Sequence, residues 1–270
     1  MSGPAPPPSD AAVADRVRAL AAGYRPPRFE HVPDPDAAIF LCAVDHRTGY
    51  RAEHAVDGRG PFAGSALMWE LGLAAARRRP GVLTAGGLRD VDGATVAALF
   101  AVGGETVADP ERRAALWRDL AAGLDARYRG SAAALLAAAG GRLGGPDGLV
   151  GRLAAFAAYA DPLAKKSFLF AKIAARRGWF EVADPERWEV CADNVLMRLA
   201  LRSGLVAPGE EVTVRAATRA AFKAVAAEAG ISPPVLDDLL WELGSDDPDL
   251  LSAVAGDLRE PPRDPDSTWY

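Results

Sequence analysis

The sequence predicts a mainly α-helical protein with one small β-hairpin near its N-terminus. Half of the 270 residues are hydrophobic, and most of them recur at the three-to-four-residue spacing of a buried helix face. Glycine and proline separate these segments, as expected at helix ends. Only one stretch, AIFLCAV at residues 38–44, has the character of a strand.

The predicted elements follow these breaks along the chain. Helices are expected at residues 11–22, 65–79, 94–100, 110–128, 131–139, 148–159, 162–177, 194–203, 214–228 and 234–243. The strand at 38–44 would end in a turn at 45–49 and pair with a short extended piece at 51–56. We expect a disordered tail over 1–10, a single domain over 11–244 and a solvated acidic, proline-rich tail over 245–270.

Composition narrows the function classes. The chain has 31 basic and 36 acidic residues and a formal charge of −5, so its surface as a whole does not favour nucleic acid, and any anion site must be local. Two cysteines and three histidines show no recognisable ligand spacing, so no metal and no cofactor is expected. The sequence shows no secretion signal and no long apolar run, which predicts a cytoplasmic protein with no membrane span.

The segment DPLAKKSFLFAK at residues 161–172 contains three of the four lysines, Lys165, Lys166 and Lys172. In a helix starting at Pro162, Lys166 falls on the apolar face, whereas Lys165 and Lys172 fall on an opposite, solvated or anion-facing side. A buried ammonium needs a carboxylate partner or loses its proton. Lys166 is therefore either a functional amine or a side chain that reaches water from the edge of the face.

The next helix is predicted from VCADNVLMRLALRSGLV at residues 190–206. Asp193 stands at the N-cap position and Gly204 at the glycine stop, with Asn194, Arg198 and Arg202 forming a narrow polar line. A carboxylate at a helix N-terminus is stabilised in its ionised form. Asp193 either only caps the helix or forms an acid–amine pair with the lysine of the preceding helix.

A lysine helix followed by V-x-A-D-N-V-x-x-R-x-x-x-R-x-G-L-V resembles the helix–hairpin–helix N-glycosylase superfamily, in which Asp193 and Lys166 match the catalytic aspartate and the lyase lysine. Further along, GISPPVLDDLLWELG resembles the closing helix of archaeal-type 8-oxoguanine DNA glycosylases. That resemblance implies that Asp237 and Trp241 contact an extruded base.

A longer resemblance, over roughly residues 62–244, is to the queuosine-salvage family, which hydrolyses the N-glycosidic bond of a 7-deazaguanine nucleotide. It is carried by SALMWELGLAAARRRPGVLTAGGL, RYRGSAAALLAAAGG, YADPLAKKSFLFAKI and EEVTVRAATRAAFKAV. The family's F-A-D-Y-R-V-P sequence appears here only as CADNVLM. In this alignment Lys165, rather than Lys166, can be the matching lysine.

The resemblance implies a two-lobed helical fold like that of DNA glycosylases. It also implies an N-glycosidase for a purine or 7-deazapurine nucleoside or nucleotide, with Asp193 stabilising the sugar cation or activating water. Two alternatives are a DNA glycosylase with lyase activity, in which Lys166 is the Schiff-base nucleophile, and a non-catalytic binding module. The expected substrate contacts are base contacts from Trp241, Asp237 and Trp69, phosphate contacts from Lys165, Arg198, Arg202 and Arg215, and polar contacts from Asp45 and His46.

Overall fold

A computed structural model of the protein describes residues 10–252, 260–262, 264 and 267–269. This part of the chain is mainly helical, with one two-stranded antiparallel sheet near the N-terminus, which confirms the predicted fold class. The tail predicted over residues 1–10 lies outside the described residues, except for Asp10, which begins the first helix.

Twelve α-helices and two strands are present in the described residues. They are α1 Asp10–Ala21, α2 Pro35–Ala43, β1 His54–Val56, β2 Arg59–Phe62, α3 Gly64–Arg78, α4 Ala85–Leu88, α5 Gly93–Leu99, α6 Pro110–Tyr128, α7 Ala132–Ala139, α8 Leu149–Leu153, α9 Lys165–Arg176, α10 Asn194–Arg202, α11 Glu211–Ala229 and α12 Pro233–Asp246. Short 3-10 turns lie at Ala157–Tyr159 and Pro185–Arg187.

Contacts between residues divide the chain into two compact units. Unit 1 comprises Met1–Pro27 and Glu186–Ser267, and therefore contains α1 and α10 to α12. Unit 2 comprises Arg28–Pro185 and Thr268–Tyr270, and contains α2 to α9 with the hairpin. Within unit 1, α11 packs against α1, α10 and α12. Within unit 2, α2 packs against α9, α6 and α7.

The prediction of a strand at residues 38–44 is wrong, because these residues belong to helix α2, apart from Val44, which ends it. Asp34 caps the helix by accepting a hydrogen bond from Ala37 N at 2.8 Å, and Pro35 occupies the first turn. Every residue from Ala37 to Ala43 is buried. A helix that is buried all round shows no apolar periodicity, so a short apolar run cannot be told from a strand. The hairpin is formed instead by β1 and β2, of which only β1 overlaps a predicted extended piece.

The remaining differences concern one helix start, one divided helix and one short helix that was not predicted. Helix α9 begins at Lys165 rather than at residue 162, because Ala164 adopts a left-handed conformation with φ of 51°. Asp161 still serves the helix start, since its carboxylate accepts from Leu163 N and Lys165 N at 3.0 Å each. The helix predicted at 148–159 is divided into α8 and a 3-10 turn. The short helix α4, capped by Thr84, was not predicted.

The described residues after 244 are partly packed, in contrast to the solvated tail expected there. Helix α12 continues to Asp246, and Leu250 and Leu251 are buried. Arg16 Nε donates to Leu250 O at 3.2 Å, which ties this stretch to α1 within unit 1. Among the described residues, no helix combines the length and the apolarity needed to cross a membrane.

Candidate active site

The predicted site residues fall in both units. Unit 1 holds Asp193, Arg198, Arg202, Arg215, Asp237 and Trp241. Unit 2 holds Asp45, His46, Trp69, Lys165 and Lys166. In each unit, some of these side chains hold a short backbone segment, and the two segments are held differently.

Asp193 is the N-cap of α10, as predicted. Its backbone is extended, and its Oδ1 accepts hydrogen bonds from Val195 N at 2.9 Å and Leu196 N at 3.1 Å. Gly204, with φ of +77°, follows the end of the helix at the predicted stop. Two N–H donors and the positive end of the helix favour the ionised carboxylate. The half-buried Asp193 side chain is therefore a fixed negative charge.

The backbone leading to Asp193 is held from two other helices of unit 1. Cys191 N donates to Asp237 Oδ1 of α12 at 2.7 Å, in a buried hydrogen bond. Arg215 of α11 is almost fully buried, and its Nε donates to Ala192 O at 3.3 Å. We call residues 190–194 the Asp193 segment. Asp237, expected as a base contact, uses one carboxylate oxygen to hold this segment.

Glu211 belongs to the same cluster and was missed in the sequence. Its Oε1 lies 3.6 Å from Arg215 Nε, one helical turn along α11. The available signal was the i,i+4 spacing of Glu211 and Arg215, since residues at that spacing share a helix face.

Trp241 lies one turn after Asp237 on α12, so the two side chains are on the same side of the helix. It is 41% exposed and, apart from Val212, the only exposed large hydrophobic side chain in the described part of the chain. An exposed indole offers a flat apolar face on which an aromatic base can stack.

The two arginines of α10 differ in their partners. Arg202 donates from Nε and Nη2 to both carboxylate oxygens of Asp249, at 2.6 and 2.7 Å. These two guanidinium donors of Arg202 are thus already bound to a carboxylate. The hydrogen-bonded pair raises the pKa of Arg202 and lowers that of Asp249. Arg198 is half-buried, and its Nε has no hydrogen-bond partner among the described residues. Arg198 is the better phosphate candidate of the two.

In unit 2 the lysines of α9 bind the end of α2. Lys166 is fully buried, and its Nζ lies 2.6 Å from Ala43 O and 3.1 Å from His46 Nδ1. Lys165 Nζ lies 3.4 Å from Asp45 Oδ2 and 3.3 Å from Asp45 O. Lys172 is also buried, so the prediction of a solvated side carrying Lys165 and Lys172 is wrong. Helix α9 is enclosed around most of its circumference.

Burial sets the charges in this cluster. It lowers the pKa of Lys166 well below its ordinary value, and the charge of Lys165 adds to the effect. Burial, with Lys166 and Arg113 close by, also lowers the pKa of His46 far below its ordinary value, so the imidazole is uncharged. Burial alone would raise the pKa of Asp45, but Lys165 and the Ser65 hydroxyl bring it below the ordinary value.

Arg113 of α6 completes the cluster and was not identified from the sequence. It donates to Val44 O, to His46 O at 2.6 Å, to Arg47 O at 2.9 Å and to Ala108 O at 2.7 Å. Together with the two lysines, it binds every carbonyl oxygen from Ala43 to Arg47. We call residues 43–47 the α2 exit turn. Burial lowers the pKa of Arg113 to about 10, which leaves it charged at neutral pH.

Helix α3 lies beside this turn. Ser65 Oγ, in its first turn, donates to Asp45 Oδ1 at 2.6 Å. Trp69, one turn further along α3, is half-buried. The carboxylate of Asp45 is thus shared by a hydroxyl and an ammonium, and both of its oxygens are used within unit 2.

Comparison with known proteins gives no family: no protein-family model matches the sequence, and no curated protein matches it significantly. Among the described residues, no group of three or more His, Cys, Asp or Glu side chains is arranged to hold a metal ion. The site must therefore be interpreted from its own chemistry.

Proposed function

We propose that the protein is an N-glycosidase that hydrolyses the base–sugar bond of a purine or 7-deazapurine nucleoside or nucleotide, with Asp193 as the catalytic carboxylate. The observation that carries the proposal is the Asp193 carboxylate, fixed at the start of α10 by two backbone N–H groups. Three further features of unit 1 support it: an exposed indole, a half-buried arginine and a backbone segment held from two helices.

The reaction needs a fixed negative charge beside the sugar. As the bond from C1′ to the base nitrogen breaks, the base leaves with the electron pair and positive charge develops on the sugar ring. A carboxylate that is already oriented stabilises this charge without reorganising at the moment of reaction. A water oxygen then bonds to C1′, its proton passes to the carboxylate or to solvent, and the departing base is protonated.

Substrate binding is assigned to side chains of unit 1. Trp241 presents a face on which the base stacks, and Arg198 Nε supplies a donor for a 5′-phosphate. Asp237 and Arg215 act on the backbone, because their described hydrogen bonds go to Cys191 N and Ala192 O. In this proposal they hold Asp193 in place.

The geometry of Lys166 weighs against the lyase alternative. A Schiff base requires its Nζ to attack an aldehyde carbon, but the side chain is fully buried and Nζ is bound to Ala43 O. The depressed pKa of Lys166 does favour the uncharged amine that a nucleophile needs. Borohydride trapping with abasic DNA decides the point: an adduct lost in Lys166→Met would favour the lyase.

The test of the main proposal is release of free base from a panel of purine and 7-deazapurine nucleosides and their 5′-monophosphates, followed by chromatography. Asp193→Asn should lower the rate by about a hundredfold or more, because it removes the charge that stabilises the transition state. Asparagine is as good an N-cap as aspartate, so the fold should persist.

Asp92→Asn is the matched control, because Asp92 caps α5 in the same way, through Thr95 N. Its activity should equal that of the wild type. Wild-type activity in Asp193→Asn, or no base released from any member of the panel by the wild-type protein, would overturn the proposal.

A further inference from the structure

Several polar atoms close to Asp193 in the sequence or in space are buried without a hydrogen bond. Asn194 Oδ1, Arg198 Nε and Glu211 Oε1 have no hydrogen-bond partner among the described residues. Burial of a polar atom without a hydrogen bond is unfavourable, and folded proteins contain few such atoms. Asn194 and Arg198 lie on the first two turns of α10 and Glu211 on the first turn of α11, and a polar ligand that binds there accounts for all three atoms.

Arg215 links Glu211 to the backbone of the Asp193 segment. Arg215 Nε lies 3.3 Å from Ala192 O and 3.6 Å from Glu211 Oε1, so the carboxylate lies beside the peptide group that joins Ala192 to Asp193. The Glu211 side chain remains 21% exposed, whereas that of Arg215 is 3% exposed. The exposed part of the Glu211 side chain can thus be approached from solvent, whereas its Oε1 and the Arg215 side chain are covered by the protein.

The atoms without a hydrogen bond indicate which group of the ligand lies beside them. Glu211 Oε1 and Asn194 Oδ1 are acceptors, so they require hydrogen-bond donors. The group of a nucleoside closest to the cleaved bond that donates in this way is a sugar hydroxyl. We infer that Glu211 accepts a hydrogen bond from the 2′-hydroxyl of the substrate and makes the enzyme selective for ribosyl over 2′-deoxyribosyl substrates.

This inference rests on the proposed function and adds a step to its mechanism. A hydrogen bond to the hydroxyl next to the reacting carbon strengthens as positive charge develops there, and it contributes several kcal/mol in glycoside hydrolysis. Without a protein, the electron-withdrawing 2′-hydroxyl slows cleavage. A preference for the ribosyl substrate must therefore come from a side chain that uses the hydroxyl.

The experiment compares kcat/KM for matched ribosyl and 2′-deoxyribosyl 5′-monophosphates of one base, in wild type and Glu211→Gln. The wild type should prefer the ribosyl substrate by about tenfold or more, since a bond to a charged acceptor is worth about 1.5–3 kcal/mol. Glu211→Gln should lose most of this preference and stay within about threefold of wild type on the deoxyribosyl substrate.

Glu228→Gln is the control, because it makes the same change at an exposed position near the other end of α11. It should retain the wild-type preference. If Glu211→Gln loses the same factor on both substrates, or if the wild type shows no ribosyl preference, Glu211 does not recognise the 2′-hydroxyl although the N-glycosidase proposal stands.

Absence of cleavage of either substrate by the wild type means instead that the proposed function has failed. Recognition of the sugar is then decided by calorimetric titration with the same two monophosphates. Tighter ribosyl binding that is lost in Glu211→Gln supports the role of Glu211. Equal affinities in the wild type overturn it.

Discussion

The α2 exit turn in unit 2 and the Asp193 segment in unit 1 are both five-residue stretches held by buried charged side chains, but they differ in how the polar atoms around them are bound. Each carbonyl from Ala43 to Arg47 accepts a hydrogen bond from Lys165, Lys166 or Arg113. Around the Asp193 segment, Asn194, Arg198 and Glu211 each have one buried side-chain atom without a hydrogen bond to any described residue, although Glu211 Oε1 forms an ion pair with Arg215.

In the proposed mechanism, this difference in hydrogen bonding distinguishes a structural turn from the reactive site. A turn whose five carbonyl oxygens are all bound by buried cations is held in one structure, and those cations are then used by backbone oxygens. A network with unpaired atoms costs stability unless a ligand completes it. Lys165 and Lys166, which the sequence marked as candidate reactive residues, therefore hold the α2 exit turn. Glu211, which was not identified from the sequence, lies at the proposed site.

The largest effect should follow from breaking the α2 exit turn at Arg113. Arg113→Ala leaves Val44 O, His46 O and Arg47 O without their buried donor, and it leaves a cavity. Loss of a buried charged partner costs about 3–5 kcal/mol of unfolding free energy, measured by urea denaturation.

Arg112→Ala, at the neighbouring exposed position of α6, should change stability by less than about 0.5 kcal/mol. An equal, small effect of the two substitutions would show that the turn does not depend on its cation.

A smaller effect, visible as a pH dependence, is expected at Lys166. The pKa of Lys166 in the folded protein lies below its value near 10.5 in the unfolded chain. At any pH between these two values, the unfolded chain binds a proton that the folded chain does not. The unfolding free energy must then rise with pH up to about 10.5, by as much as about 1.4 kcal/mol per pH unit. Lys166→Met removes this contribution. The unfolding free energy of the wild type minus that of the variant should therefore increase as pH rises.

Lys223→Met is the control for the loss of a lysine side chain, because Lys223 is partly exposed and paired with Glu189. A constant difference between Lys166→Met and wild type from pH 6 to pH 10 would mean that Lys166 keeps its proton in the folded protein.

The smallest effect should come from the buried hydroxyl of Thr218. Thr218 on α11 is fully buried, and its Oγ1 has no hydrogen-bond partner in the described part of the chain. Valine has the same shape without the hydroxyl, so Thr218→Val should raise the unfolding free energy by about 1 kcal/mol.

Thr213→Val, at an exposed position of the same helix, should leave the unfolding free energy nearly unchanged. A loss of stability in Thr218→Val would show that the buried hydroxyl has a partner after all, and it would weaken the contrast between the two networks.

The fold was predictable where local signals were strong. Helix α10 begins after Asp193 and is followed by Gly204 as expected, and α6 spans the predicted residues, because caps, proline and glycine act within a few residues. Helix α2 was missed because all its residues from Ala37 to Ala43 are buried, which removes the apolar periodicity.

The candidate site was predictable only in part. Asp193 was identifiable because an N-cap aspartate has a recognisable sequence context. The roles of Arg113 and Glu211 were not, because both depend on oxygens distant in sequence or on the backbone of another segment. Arg202 could not be separated from Arg198 in the sequence, since only the position of Asp249 distinguishes them.

The sequence by itself determined a mainly helical chain, the cap at Asp193 and the presence of an out-of-place lysine at 166, because each follows from local periodicity and capping chemistry. Only the tertiary structure decided what these charges do. It placed Lys166 Nζ on Ala43 O and left Glu211 Oε1 without a hydrogen bond to any described residue, because the hydrogen-bond partner of a buried charge depends on contacts between distant segments.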